Sequence, residues 1–258
     1  MVKDTIKVKG EQPEEVANPS TCASFREQYP TIFAPLQTES FARVRSQRSA
    51  VLVAPTSSGK TLAVAAPLFE TKRKAVFVYP FRALVLDQTS QLLRYGEPFG
   101  LVGDDFAQLV GGASNQLLAS AIKKNYILMT PDKLISLFLG GRTPTGAALA
   151  ILSDYTFVFD EVHAYNSLML SSLIYFIRSV KYWRAGVGGH MPIFYFLSAT
   201  FPGELWPVLQ QEVGMSNDDR VEGVSKTGDL VLILRPNKEN ADERVIGMNL
   251  IKDKGIIG

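Results

Sequence analysis

The sequence is poor in the residues that build disulfides and metal centres. Cys22 is its one cysteine, which excludes an intrachain disulfide and a four-cysteine zinc site. His163 and His190 are its two histidines, too few for a histidine-rich metal centre supplied by this chain alone. No apolar run approaches the roughly 18 residues of a membrane span. The opening Met1-Val2-Lys3-Asp4-Thr5 lacks the apolar stretch of a secretory signal. The expectation is a soluble, cytoplasmic protein with no membrane partner. An excess of charge of one sign is missing too, since 27 Lys and Arg face 25 Asp and Glu for a net +2. That excludes a histone-like or ribosomal type of basic chain and leaves room for a local basic patch.

What is present is the material of a core. Of the 258 residues, 46% are hydrophobic and 20% charged, so wholesale disorder is excluded. At about 150 residues per domain the length corresponds to roughly 1.7 domains. The polar first residues (Glu11, Pro13, Glu14, Glu15, Pro19) read as a loose lead-in. Then five short, nearly continuous apolar runs alternate with helix-length stretches: Val51–Ala54, Ala75–Tyr79, Tyr126–Met129, Tyr155–Phe159 and Ile193–Leu197. Strands of this kind predict an α/β domain with a parallel sheet covered by helices on both faces. Each run ends in a polar cluster, and open α/β sheets bind ligands at the carboxyl ends of their strands.

The first cluster, Ala54-Pro55-Thr56-Ser57-Ser58-Gly59-Lys60-Thr61, stands between a strand and a helix. It has the spacing of a phosphate-binding P-loop with Ala54 in place of the first glycine. In such a loop, backbone N–H groups and the helix dipole hold phosphates. Thr56, Ser57, Ser58 and Gly59 would form the cradle, Lys60 would reach the β/γ oxygens, and the Thr61 hydroxyl would ligate Mg²⁺. The fourth run delivers Asp160 and Glu161, the first suited to the metal shell and the second to polarising water. His163 follows two positions later.

These residues resemble the first RecA-like domain of superfamily 2 DExH-type helicases, over residues 33 to about 201. Phe33-Ala34-Pro35-Leu36-Gln37 is similar to the adenine-reading Q motif, and Ala54–Thr61 to motif I, where the family itself often has alanine first. Tyr79–Leu84 resembles motif Ia, Gly111-Gly112 the paired-glycine element, and Thr130–Leu134 motif Ib. Asp160-Glu161-Val162-His163 resembles motif II, and Ser198-Ala199-Thr200 the coupling motif III. The resemblance implies a RecA-like P-loop NTPase domain that binds ATP and Mg²⁺. Catalysis would rest on Lys60, Asp160, Glu161 and His163, with Thr61 and Asp160 at the metal and Gln37 on the adenine. Phe25, Tyr29 and Phe33 are all candidates to stack on that base.

Pro80, Arg82, Gly111, Gly112, Thr130, Pro131 and Lys133 would meet single-stranded DNA, or RNA, through its backbone. On their own Arg82 and Lys133 read as solvated charges, and it is the motif context that turns the reading towards strand contact; Lys72-Arg73-Lys74 reads as a solvated helix end. Asp160–Tyr165 is most similar to the helicase of type I CRISPR systems, in its nuclease-less I-D form. That implies an effector complex and a separate HD-type nuclease as partners. Archaeal Ski2-like helicases are the rival. No motif VI follows Thr200, and too few residues remain there for another RecA-like domain. The expected division is therefore a lead-in over 1–24, the domain over 25–210, and a tail over 211–258 that contains the strand-like run Asp229–Leu234. A second RecA-like domain is expected in cis or in trans. A lone ATP- and strand-binding module with little turnover is the alternative. A small-molecule P-loop kinase would leave motifs Ia, Ib and III without a role.

Overall fold

The computed structural model describes residues 5–8, 43–44, 46–56, 58–111, 115–139, 145–187, 189–223, 230–236, 246–252 and 255–257. The strands are β1 (Thr5–Val8), β2 (Ala50–Val53), β3 (Ala75–Val78), β4 (Phe106–Leu109), β5 (Tyr126–Met129) and β6 (Thr156–Phe159). They continue with β7 (Phe194–Ser198), β8 (Arg220–Glu222), β9 (Leu230–Pro236), β10 (Ile246–Lys252) and β11 (Gly255–Ile257). The helices are α1 (Lys60–Glu70), α2 (Arg82–Gly96), α3 (Asn115–Ala121), α4 (Pro131–Leu139), α5 (Thr145–Asp154), α6 (Ser167–Val187) and α7 (Leu205–Val208).

Seven strands form one sheet in the order β4-β5-β3-β6-β7-β2-β8, and every pair in it is parallel. The pleat sends successive side chains to opposite faces, and both faces are apolar. Val76, Val78, Ile127, Met129, Phe157, Phe159, Phe194 and Phe196 join one buried cluster, with Leu134, Leu173, Phe176 and Leu205 from the helices. Ala75, Phe77, Tyr126, Leu128, Val158, Tyr195 and Leu197 join the other, against Ala63, Val64, Leu68 and Phe69 of α1 and Val85 and Leu92 of α2. This is why the strands read as unbroken apolar runs. Phe159 and Phe196 stack at 5.3 Å and 9°, and Phe157 meets Phe194 at 5.7 Å. Such ring pairs contribute about 0.5–1.5 kcal/mol beyond their buried area, so the two strands that carry Asp160 and Ser198 end on a rigid base.

The five expected strands are present within a residue or so of their expected bounds. Two more complete the sheet. β4 lies at one edge with Ala107 and Gln108 only partly buried. β8, at the other edge, comes from beyond residue 210, where the sequence division places the tail. Its inward Val221 is flanked by exposed Arg220 and Glu222. A second, four-stranded antiparallel sheet has the order β1-β9-β10-β11. It takes β1 from the lead-in that the sequence reads as loose, and β9 overlaps the run Asp229–Leu234.

Candidate functional site

The end of β2 is tied to the end of β7 by the Ala54 N–H, which donates to the Ser198 carbonyl at 3.0 Å. The chain then turns through Pro55 and Thr56 into α1. Gly59 makes that turn possible with φ 82°, a left-handed conformation that costs glycine nothing. Its carbonyl accepts the first helical bond, from the Ala63 N–H at 2.9 Å. Lys60, 5% exposed, folds back so that its ammonium donates to the carbonyls of Ala54 at 2.8 Å and Pro55 at 3.0 Å. Burial pushes this lysine below its ordinary pKa, and the nearby Glu161 and Asp160 charges act in the other direction. Ser58 is buried and its hydroxyl has no hydrogen-bond partner. Such an orphan fits a cradle whose polar groups face a ligand.

The Thr61 hydroxyl donates to Asp160 Oδ2 at 2.7 Å, which joins the P-loop to the end of β6. The other oxygen of Asp160 accepts the Glu161 N–H at 2.8 Å. Asp160 is 2% exposed. Burial raises its carboxyl pKa to about 6, against the lowering effect of the Thr61 hydrogen bond. Glu161 has φ 53°, a left-handed position that costs a non-glycine residue about 1–2 kcal/mol and marks sites where geometry matters more than ease. Its Oε2 is buried without a donor, although His163 Nδ1 lies 3.2 Å away. The Ala199 N–H donates to that same nitrogen at 3.3 Å, so Nδ1 offers a lone pair rather than a proton.

Ser198 accepts the His163 N–H at 3.0 Å and donates its own proton to the Thr200 carbonyl. Motif III thus grips the loop after motif II from beneath. Tyr165, outside the predicted set, adds a further tie. Its buried hydroxyl donates to the Val78 carbonyl at 3.2 Å, and the Asp160 N–H donates to the same oxygen at 2.9 Å. The only sequence signal for this role is an aromatic residue shortly after a strand-end Asp-Glu pair.

The expected nucleic-acid residues separate into two groups. Arg82 is exposed at the start of α2 and reaches Gly111, which has φ 70°. A Cβ on Gly111 would come within 2.9 Å of the Arg82 guanidinium, so the glycine is what lets the arginine lie across that loop. Pro80, Thr130, Pro131 and Lys133 are buried instead. Lys133, expected at the strand, is 9% exposed, which sets aside the alternative of a solvated surface charge. Of the expected set, Arg82 and Gly111 are the exposed members among the described residues. Phe25, Tyr29, Phe33, Gln37, Ser57 and Gly112 lie outside the described residues.

This arrangement brings cradle, lysine, hydroxyl and carboxylate pair to one edge of a parallel sheet, with an exposed cation alongside. The structure aligns with the crystal structure of the DUF1998 helicase MrfA bound to DNA and AMPPNP at TM-score 0.71 and 20% identity, over 94% of this chain and 35% of that one. It aligns with a hypothetical ATP-dependent RNA helicase from Sulfolobus tokodaii at TM-score 0.56 and 25% identity, over 78% of this chain and 55% of that one. These likenesses establish the RecA-like fold. Among curated relatives, the uncharacterized ATP-dependent helicase YprA of Bacillus subtilis (strain 168) is 30% identical over 177 residues, 66% of this chain and 23% of YprA. The chain thus spans about a quarter of that relative's length. Residues 34–206 match the DEAD/DEAH box helicase family, and the chain belongs to it.

Proposed function

We propose that the chain is the ATP-binding half of a nucleic-acid motor, an ATP-dependent helicase or translocase completed by a second RecA-like domain in cis or in trans. The observation that carries this is the 2.7 Å hydrogen bond from Thr61 to Asp160. It places the P-loop hydroxyl and the strand-end carboxylate at one point, beside the Lys60 ammonium. Both are hard oxygen donors, as Mg²⁺ requires, and that ion takes few protein ligands and fills its shell with phosphate oxygens and water. When bound it would neutralise charge on the β- and γ-phosphates. Lys60 would exchange its two carbonyl partners for phosphate oxygens. The orphaned Oε2 of Glu161 would accept a proton from the attacking water. His163 and Ser198–Thr200 would pass the state of that site to the strand-binding edge.

The motor reading is preferred to a passive binding module because the strand-facing pair Arg82 and Gly111 shares the sheet edge with the nucleotide site. An arginine finger supplied by a second domain would contribute about 10³–10⁵ in rate, so the chain by itself should turn over ATP near background. Single-stranded DNA is the preferred strand, in line with the DNA-bound MrfA structure. RNA is the alternative, in line with the DEAD-box helicase Mss116 bound to ssRNA. The narrower reading is a type I-D CRISPR helicase working beside an effector complex and a separate HD-type nuclease. It rests on Asp160–Tyr165 alone, and the relatives named above add nothing to it. A Ski2-like helicase domain fits the same geometry.

The test is a titration with a fluorescent ATP analogue and Mg²⁺, together with ATPase assays of the chain alone and with a partner RecA-like domain. Binding that is lost in Lys60→Ala, with turnover only in the partner's presence, is the expected result. Robust DNA-stimulated ATPase from the isolated chain would overturn the half-motor reading, and absence of nucleotide binding would overturn the ATP site.

A further inference from the structure

We propose that the chain carries a second contact for the nucleic-acid backbone, on the edge of the sheet opposite the nucleotide site. The proposal rests on the reading of the chain as a nucleic-acid-binding motor. A cleft of about 950 Å³ opens at the amino ends of β3, β6 and β7, lined by the segments that lead into those strands and by the end of α6. Four of its lining residues are permanent cations, Lys72, Arg73, Lys74 and Arg184, and Asp154 is its one carboxylate. Among the described residues, none of the four is ion-paired with an acid. Elsewhere Arg43 and Arg48 hold Asp219, Arg178 and Lys181 hold Glu212, and Lys124 holds Asp104, while among the described residues the exposed Arg82, Arg94 and Lys123 also have no ion pair; what sets the four apart is that they line one cleft with a single carboxylate.

The two arginines are fixed in the walls. Arg73 donates to the Val44 carbonyl at 3.0 Å, and Arg184 to the Leu152 carbonyl at 2.5 Å. Gly189 makes room for the second, since a Cβ there would lie 2.5 Å from the Arg184 guanidinium. Both arginines leave their charge in the cleft, and Arg184 Nε is buried without a hydrogen-bond partner among the described residues. The two lysines are not fixed in this way: Lys72 is exposed and Lys74 half-buried. Lys72 occupies a left-handed turn with φ 50°, where glycine is the ordinary residue after a helix. Lys74 is held over the Tyr155 ring at 5.4 Å. Neither ammonium has a hydrogen-bond acceptor or carboxylate among the described residues. A helix dipole favours one cation after α1 and does not account for a charged cleft drawn from two distant parts of the chain.

Unpaired cations spread over an open cleft suit a polyanion rather than a single converging anion. Charge focused between low-dielectric walls attracts a phosphate backbone without reading its bases. The four-residue strands separate this edge from the nucleotide edge by about 13 Å. A strand leaving the motor's track, or the duplex ahead of it, would have to pass round the domain to reach it.

The test uses the whole 258-residue chain and its Lys72→Glu/Lys74→Glu variant. Fluorescence anisotropy is measured on labelled single strands of about 8 and about 40 nucleotides over a range of salt, a single fold's site size being about 4–16 nucleotides. On the long strand the variant should bind at least tenfold more weakly, with a log–log salt slope shallower by about 1.4, the effect of two phosphate contacts on a single strand. On the short strand it should match the wild type, and its binding of a fluorescent ATP analogue should be unchanged. Equal affinity and slope on the long strand would overturn the proposal. If Arg82→Ala weakens both strands while the lysine variant weakens neither, the second contact falls and the motor reading stands. If the wild-type chain binds neither strand, both fall.

Discussion

The Ala199 N–H points at Nδ1 of His163 from 3.3 Å, so a residue of motif III reads the imidazole of motif II directly. The same nitrogen stands 3.2 Å from Glu161 Oε2. One contact requires a lone pair on Nδ1 and the other a proton, and only one can be satisfied at a time. The backbone donor is fixed at the end of β7, so the imidazole carries its proton on Nε2 and leaves the carboxylate free for water. The expected outcome is a proton on Nε2 and a lone pair on Nδ1 in the imidazole ¹⁵N spectrum. In His163→Ala, hydrogen exchange at the Ala199 amide should accelerate while nucleotide affinity stays within about threefold. A proton found on Nδ1 would reverse the assignment.

Asp160 is the clearest case of stability given up at the site. Its folded pKa of about 6 lies above the ordinary value of 3.8, so the folded state binds the proton more tightly than the unfolded chain does. The stability from that proton is fully present below pH 3.8 and is lost as pH rises through about 6. At pH 8 the buried carboxylate then costs on the order of 3 kcal/mol. Asp160→Asn removes the charge and keeps most of the shape. In Mg²⁺-free buffer the variant should melt several degrees higher than wild type at pH 8, with the gap closing by pH 5. Thermal unfolding at the two pH values checks this, and a gap that widens toward acid would contradict it.

The polar clusters that end β2, β3, β5, β6 and β7 were legible because strands buried on both faces leave no other polar residues to compete with them. β4 and β8 were not legible. Each is a short edge strand, and its half-exposed composition (Ala107 and Gln108; Arg220 and Glu222) reads as loop. The burial of Lys133 was hidden for a different reason, since α4 is placed by tertiary packing and local sequence does not reveal which of its turns faces the sheet. The basic cleft was invisible because Lys72–Lys74 and Arg184 are far apart in the chain and meet only through the order of β3, β6 and β7. What a single segment specifies was readable, and what needs two segments was not.

Gly111 offers a test of the strand-binding edge that leaves the nucleotide site untouched. An alanine there would strain a backbone at φ 70° and press its Cβ to within 2.9 Å of the Arg82 guanidinium. The strain costs roughly 1 kcal/mol, and the arginine must move off the loop. Gly111→Ala should weaken single-strand binding about as much as Arg82→Ala, and the double variant should be no weaker than either single one. Oligonucleotide titrations of the three proteins check this, and additive losses would show that the two residues act separately.

Asp219 anchors the edge strand that the sequence division leaves in the tail. Its carboxylate is 6% exposed. It accepts from the Ser216 N–H at 2.8 Å and from the Arg48 guanidinium at 2.6 Å, with Arg43 at 3.4 Å. Burial by itself would raise its pKa, but the Ser216 and Arg48 interactions outweigh it and the net shift is downward. A depressed folded pKa contributes stability that is present above the unfolded value near 3.8 and is lost as pH falls through the folded one. Asp219→Ala leaves two arginines and a turn without their acceptor, a loss of about 1–3 kcal/mol at pH 7. The wild-type advantage should shrink as pH falls below 3.8 and on through the depressed folded value, because the carboxyl is then protonated in both states. Because the damage falls beside β8, hydrogen exchange should rise first at Val221 and at Gly223, whose N–H donates to the Val53 carbonyl at 2.8 Å. The Val53 carbonyl closes the strand that leads into the P-loop. Loss of this remote anchor should therefore lower nucleotide affinity severalfold without any change to Lys60, Thr61 or Asp160, and unchanged affinity would show that β2 holds the loop unaided.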